Sequence, residues 1–365
     1  MSKTLSRVES IDYLRGMLAF SVMVYHYTSW INMSLFYPLD QLISRLGIYA
    51  VPSFYILSGI SLGLVYAHRD VNTAFLAEFV TKRIFRIVPL FYAATTLIIF
   101  VRYQIYAKVP SLETILENYL FIFPWASPAN SIITGGWSIG NEIVFYAFLP
   151  FLLLIKQRSK KFFALIVIFI FIIGIGFSFF ILDESLPLAE QWNVYVNPLN
   201  QLFYFVGGVL LGLIFLRNIH IKNELILLGI GLSVLFIAFV PVNGDDKIVL
   251  VTGFQRILFT LFIFLLCGFV AFWRSGLNKI TSVFKFFGNI SYSLYLIHPI
   301  LFNVTFALLK PPFLKTDIQK MVFSMVITVI LSTISYYFFE KTMIRFGRAG
   351  VERFLTSKQK SLISG

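Results

Sequence analysis

Apolar residues run along this chain in long unbroken stretches, separated by short clusters rich in Lys, Arg, Gly and Pro. Apolar stretches of about 20 residues can cross about 30 Å of hydrocarbon as helices, whereas a membrane barrel would show short alternating strands. The pattern predicts an all-α polytopic membrane protein with ten transmembrane helices, at roughly 11–31, 46–66, 84–101, 137–155, 162–182, 199–216, 225–241, 248–272, 286–308 and 320–339. Lys and Arg gather on one side of that arrangement: Arg69, Lys82, Arg83 and Arg86, then Lys156, Arg158, Lys160 and Lys161, then the run from Lys341 onward. The positive-inside rule therefore places both termini in the cytoplasm. Residues 1–345 are expected to form one transmembrane domain, and 346–365 a short basic tail against anionic lipid. The longest connection, about 102–136, lies on the opposite side and ends in Gly135 and Gly136, a pair suited to a tight turn or a close backbone approach.

Composition supports this reading. The chain is 58% hydrophobic and 13% charged, against about 25% charged in soluble domains. Its 42 Phe residues suit a surface facing lipid. A net charge of +13 invites a nucleic-acid partner, but the cations sit in short clusters between spans, where membrane topology puts them, so none is expected. The single cysteine, Cys267, excludes an internal disulfide, and no metal site is expected. The first apolar run is too long for a cleavable signal peptide and carries Arg15.

Ionisable groups inside apolar spans are costly and mark candidate function. In RGMLAFSVMVYH, Arg15 and His26 are eleven positions apart, which puts them on one helix face about 16 Å apart along the axis. Arg15 lies near the cytoplasmic boundary and His26 beyond the midplane, so this stripe is expected to border a polar passage through the protein. Snorkelling to the headgroups is the plainer explanation of Arg15, and a buried, satisfied histidine that of His26; a neutral imidazole at that depth is also a proton acceptor of the kind a general base requires. Glu142, in GGWSIGNEIVFY, is expected at a similar depth, where it orients the imidazole, binds acceptor hydroxyls, or forms an ion pair with Arg256. Ser58 in PSFYILSG is a possible nucleophile, although small residues commonly serve helix packing in membranes. Arg83 and Arg86, one turn apart, suit phosphate as well as topology. His298 precedes Pro299, which should kink its span, and is expected to have a structural or lining role.

These motifs, in this order, resemble the membrane-bound acyltransferase family 3 over nearly the whole chain. Arg15 and His26 match its first-span signature, PSFYILSG (52–59) its second-span element, RIFR (83–86) its RxxR element, WSIGNEIVFY (137–146) its tryptophan-to-glutamate element, and NISYSLYLIHP (289–299) its late-span signature. Tyr55 stands where a second Phe is usual, and Asn141 where a second acidic residue is frequent. The resemblance implies transfer of an acyl group, most often acetyl, from acetyl-CoA or another acyl-CoA to a hydroxyl of a cell-surface or lipid-linked glycan such as O-antigen or exopolysaccharide. It further implies a multi-pass protein of the bacterial cytoplasmic (inner) membrane, in contact with membrane lipids. From their depth on the acceptor's side of the membrane, His26 and Glu142 are the expected catalytic residues. Arg15, Arg83 and Arg86 are expected to hold the donor. Ser58, Trp137, Ser138, Arg256 and His298 are expected to bind substrate. A secondary transporter or glycan-lipid flippase is the competing reading, and the inverted repeats common in transporters are not visible between the two halves.

Overall fold

The computed structural model describes residues 8–215, 221–244, 246–273 and 278–363, with side chains through residue 353. Every regular element among them is helical. The long helices are α1 (Glu9–Trp30), α2 (Leu39–Tyr66), α3 (Thr73–Tyr106), a short α4 (Leu112–Tyr119), α5 (Gly136–Arg158), α6 (Lys160–Gly176), α7 (Pro198–Phe215), α8 (Asn223–Phe239), α9 (Gly253–Phe272), α10 (Lys279–Asn303), α11 (Asp317–Ile334) and α12 (Lys341–Ile363). Eight helical segments are long and apolar enough to cross a membrane. The other two predicted spans are helical as well. One is α1, whose Glu9, Asp12, Arg15 and His26 dilute its apolar character, and the other is α8, only 17 residues long.

Several boundaries differ from the sequence reading. Helices α2 and α3 extend beyond their apolar cores: the start of α2 packs against α8 through Arg45, and α3 begins at an Asn72 cap well before its apolar run. The predicted eighth span starts with a separate turn, Ile248–Val251, before α9. The connection 102–136 is largely folded: α4 and two short turns occupy it. The segment expected as a tail is continuous with α11 through a π-helical stretch, Ser335–Glu340. Helix α10 continues through Pro299 and passes into a second π-helical stretch at Val304–Leu309.

Helices in lipid gain little from the hydrophobic effect when they associate, so close backbone approach and polar contacts hold the bundle. Glycines provide that approach at two places. A Cβ on Gly59 of α2 would lie 2.2 Å from the Phe205 carbonyl oxygen of α7, and one on Gly208 of α7 would lie 2.2 Å from the Ile56 carbonyl oxygen of α2. In the same way, a Cβ on Gly16 of α1 would lie 2.6 Å from the Gly288 nitrogen of α10, and one on Gly288 would lie 2.1 Å from the Asp12 carbonyl oxygen. Helices α1 and α10 run parallel: Lys285 pairs with Glu9 at 2.5 Å at one end, and the Tyr27 hydroxyl donates to the His298 carbonyl at 2.8 Å near the other. His26 lies ten residues beyond Gly16, and His298 ten beyond Gly288. The glycine contact therefore brings the two histidines to one level, about 15 Å further along both helices.

Because backbone stands in the way on both sides, Gly59→Leu should separate α2 from α7 at a cost of about 1–3 kcal/mol or more. Thermal melting of the purified protein in detergent checks this, with a lower midpoint expected; an unchanged midpoint would show that α7 can move aside freely.

Candidate functional site

The ends of α1, α3, α10 and α12 enclose a vestibule of about 1240 Å³ on the side that carries the basic clusters. Arg15, Lys82, Arg83, Arg86, Arg345 and Arg348 all line it. Lys82 is engaged by Glu78 at 2.5 Å, and Glu78 also takes a bond from Arg69 at 2.8 Å. Arg83 lies over the rings of Phe79 and Tyr146, at 5.9 and 5.6 Å, and its buried Nε has no hydrogen-bond partner among the described residues. A buried guanidinium nitrogen without an acceptor is costly, and this one borders an open, strongly basic space.

Arg15, Arg86, Ser291 and Tyr292 are shared with a second, inner chamber of about 80 Å³, bounded further by Tyr55, Ser138, Glu142 and Tyr295. That volume holds a few waters or a narrow chain. Glu142 has two hydroxyl donors: Ser58 at 3.1 Å and Tyr146 in a very short bond, while the Ser58 and Tyr146 hydroxyls lie 2.9 Å apart. Tyr146 is one helical turn beyond Glu142 on α5, so both face Ser58 of α2. The chamber's far wall is Tyr295, whose hydroxyl donates to the Gly135 carbonyl at 3.0 Å and meets the Ser138 hydroxyl at 2.9 Å. Gly135 has a φ of +80°, and a Cβ there would sit 2.6 Å from the Tyr295 hydroxyl oxygen, so both conformation and contact require glycine.

Behind Tyr295 lies the histidine pair. The Tyr295 and His298 ring centroids are 6.0 Å apart, and His298 Nε2 is 2.9 Å from His26 Nδ1. His298 Nδ1 lies 3.0 Å from the Leu294 carbonyl oxygen, which can only accept a hydrogen bond. In the neutral ring that assigns the His298 proton to Nδ1 and leaves Nε2 to accept from His26 Nδ1–H. The lone pair of His26 is then on Nε2, which has no protein partner among the described residues. Trp30 stacks on His26 at 4.9 Å, and Lys247, bonded to the Tyr25 hydroxyl, stands beside the pair. His298 is fully buried while His26 is partly exposed.

Several expectations from the sequence need correction. His26 lines neither of these two cavities, and Tyr295 stands between the inner chamber and the histidine pair instead of an open passage shared by Arg15 and His26. The imidazole is held by His298 rather than by Glu142, because α10 and not α5 packs along α1 at that level. No Glu142–Arg256 ion pair forms. Arg256 is buried, donating to the Asn200 carbonyl at 3.1 Å, the Asn200 side chain at 2.7 Å and the Val251 carbonyl at 3.4 Å, with Phe203 beneath it. It ties α9 to the start of α7 and lines neither of these two cavities. Trp137 packs edge-on against Trp192 and Tyr195 and also lines neither. His298 is enclosed, with its Nε2 on His26 and its Nδ1 on the Leu294 carbonyl. Ser58 faces Glu142, and the helix packing weighed against a chemical role for it is done by its neighbour Gly59.

Residues that the sequence reading did not single out are Tyr146, Tyr292, Tyr295, Lys247, Arg345 and Arg348. Two carried a visible signal: Tyr146 follows Glu142 at i+4, and RFGR (345–348) repeats the spacing of RIFR (83–86). The others depend on contacts between distant helices.

Residues 8–337 match the family described as an acyltransferase domain, Acyl_transf_3, and the chain belongs to that family. It is a multi-pass membrane acyltransferase. It is similar to "Exopolysaccharide production protein ExoZ" of Rhizobium meliloti (strain 1021), 26% identical over 324 residues that cover 83% of this chain and 92% of the relative. It is also similar to "Putative acetyltransferase ORF330" of Acidianus two-tailed virus, 24% identical over 291 residues covering 79% of this chain and 81% of the relative. No solved structure matches it.

Replacing Arg256 by Ala leaves two or three carbonyl acceptors without their donor. A loss of about 2–4 kcal/mol in stability is expected, seen as a lower melting temperature, with the KM for acceptor unchanged in the folded fraction. A raised KM at unchanged stability would return Arg256 to the substrate site.

Proposed function

We propose that this membrane acyltransferase takes an acyl group, acetyl in the first instance, from a coenzyme A thioester and passes it to a hydroxyl of a cell-surface or lipid-linked glycan at the bacterial cytoplasmic membrane. The observation that carries the proposal is the division of chemistry along α1. Arg15 borders both the basic vestibule and the narrow chamber, and the same helix holds His26 beyond the chamber's far wall. The vestibule lies on the side of the Lys and Arg clusters, which the positive-inside rule assigns to the cytoplasm. There Arg15, Arg83 and Arg86 suit the phosphates of a large anionic donor. The chamber, at about 80 Å³, suits the acyl-thioester tip of the donor's arm and is too small for its nucleotide. A relative named for exopolysaccharide production supports a glycan acceptor, and one named as an acetyltransferase supports acetyl.

In the proposed reaction His26 Nε2 takes the acceptor hydroxyl proton as the oxygen attacks the thioester carbonyl carbon. The C–O bond forms, the C–S bond breaks, and the sulfur leaves as coenzyme A thiolate, which takes up the proton. A positioned base of this kind contributes on the order of 10²–10⁴-fold, and alignment of the two substrates supplies much of the rest. His298 keeps the reactive lone pair on Nε2. Tyr295 has to move for the thioester to reach His26. A second reading rests on the Ser58–Glu142 bond, which gives Ser58 a carboxylate partner within the donor's reach. In that route Ser58 carries the acyl group before the acceptor takes it.

Membranes containing the protein are expected to release free coenzyme A from acetyl-CoA only when acceptor glycan is added. His26→Ala should lower that release at least ~100-fold while the protein remains folded; no acceptor-dependent release from wild type would end the proposal. His298→Gln, whose carbonyl can still accept from His26 Nδ1, should retain most of kcat. His298→Ala should lose about 10-fold or more in kcat with little change in KM, and equal losses in both variants would reduce His298 to a packing residue. Radiolabelled acetyl trapped on the protein without acceptor, and absent from Ser58→Ala, would select the serine route.

A further inference from the structure

We propose that the terminal helix α12 supplies a second phosphate subsite of the donor vestibule, in which Arg345 and Arg348 hold the 3′-phosphate of the coenzyme A nucleotide. The inference rests on the donor reading above and deepens it. The family match ends at residue 337, before this helix begins, so the subsite belongs to a part of the chain that the family comparison does not reach.

Two RxxR motifs face one cavity. RIFR (83–86) lies on α3 and RFGR (345–348) on α12, and all four arginines line the vestibule. Between Arg345 and Arg348 stands Gly347, buried against Phe85, which itself stands between Arg83 and Arg86. A Cβ on Gly347 would lie 2.7 Å from the Phe85 Cβ, so only glycine lets the helices meet at this depth. Where they touch, both arginine pairs are drawn to the same opening. On α12, residues 341, 344, 345 and 348 fall on one face of the helix, and they line the vestibule together with Glu340 just before it.

The two pairs differ in depth. Arg83 is half-buried, and Arg86, although itself exposed, also borders the inner chamber. Arg345 and Arg348 are exposed at the mouth. Nearby Lys341 is already engaged by the rings of Tyr336 and Tyr337, at 4.9 and 4.1 Å. The ion pairs among the described residues leave both α12 guanidinium groups without a carboxylate. A coenzyme A donor has two anionic groups at different distances from its thiol: a diphosphate joined to the pantetheine arm, and a monophosphate on the ribose beyond it. With the thioester tip at the chamber and the rest of the arm in the vestibule, the diphosphate is assigned to the α3 pair and the ribose phosphate to the α12 pair. Guanidinium forks match the geometry of both.

The same arginines could also meet phosphate in anionic lipid headgroups, and the test separates the two sources. The full-length protein is placed in nanodiscs of phosphatidylcholine alone, and the dissociation constants of coenzyme A and 3′-dephospho-coenzyme A are measured by calorimetry. Wild type is expected to bind coenzyme A about 10-fold or more tightly than the dephospho form, the size of effect expected from charge-assisted bonds to one phosphate. Arg345→Ala/Arg348→Ala should bind both nucleotides equally, at the affinity wild type has for the dephospho form; that unchanged affinity also shows the variant to be folded. Arg83→Ala/Arg86→Ala should weaken both nucleotides while keeping their ratio. If the α12 double variant still discriminates as wild type does, the subsite is elsewhere and these arginines serve the lipid surface. Wild type that binds the two nucleotides equally overturns this assignment and leaves the donor reading standing. Wild type that binds neither overturns both.

Discussion

The site depends on one contact, the parallel approach of α1 and α10 at Gly16 and Gly288. Within lipid there is little hydrophobic gain in bringing two apolar helices together, so their separation is set by how closely the backbones fit. Here the fit leaves no room for a methyl group on either side. Ten residues along from each glycine, the same two helices present His26 and His298 with their ring nitrogens 2.9 Å apart. A hydrogen bond of that length tolerates only a few tenths of an ångström, and the glycine pair holds the helices within that tolerance. Without it, His26 would have neither a fixed tautomer nor a fixed direction.

Arginine in this bundle serves two purposes, separated by what lies opposite the guanidinium. Arg45 donates to the Ile237 and Val240 carbonyls, each at 2.7 Å, and Arg256 to Asn200 and Val251; both close the ends of helices with backbone acceptors. Arg15, Arg83 and Arg86 instead border open volume, and Arg83 Nε is left without an acceptor. What separates them is the surroundings: Arg256 Nε also finds no acceptor, but that guanidinium is walled in by the carbonyls it does bind, whereas one facing a void can take phosphate. The carboxylate follows the same logic. Glu142 is held by Ser58 and Tyr146 at the edge of the chamber and not buried against a cation, which keeps it in reach of whatever enters.

Tyr295 is the hinge of the layout. Its ring faces His298, and its hydroxyl closes against Gly135 and Ser138. It separates the space open to the basic side from the histidines near the opposite side. Two reactants entering from opposite faces would meet where this side chain moves.

The sequence by itself determined the helical membrane architecture, because runs of apolar residues of bilayer length leave the backbone no other way to satisfy its hydrogen bonds. It also singled out Arg15, His26 and Glu142 as costly residues in such runs, and Arg83 and Arg86 as a basic pair suited to topology or to phosphate. It could not pair them. Whether Glu142 meets His26, Arg256 or Ser58 depends on which helices touch and at what height, and that follows from glycine contacts between segments hundreds of residues apart. For the same reason α12 could be read only as a basic tail until its packing on α3 at Gly347 and Phe85 turned it towards the vestibule. A cost along one helix is visible in one dimension; the partner that offsets it exists only in three.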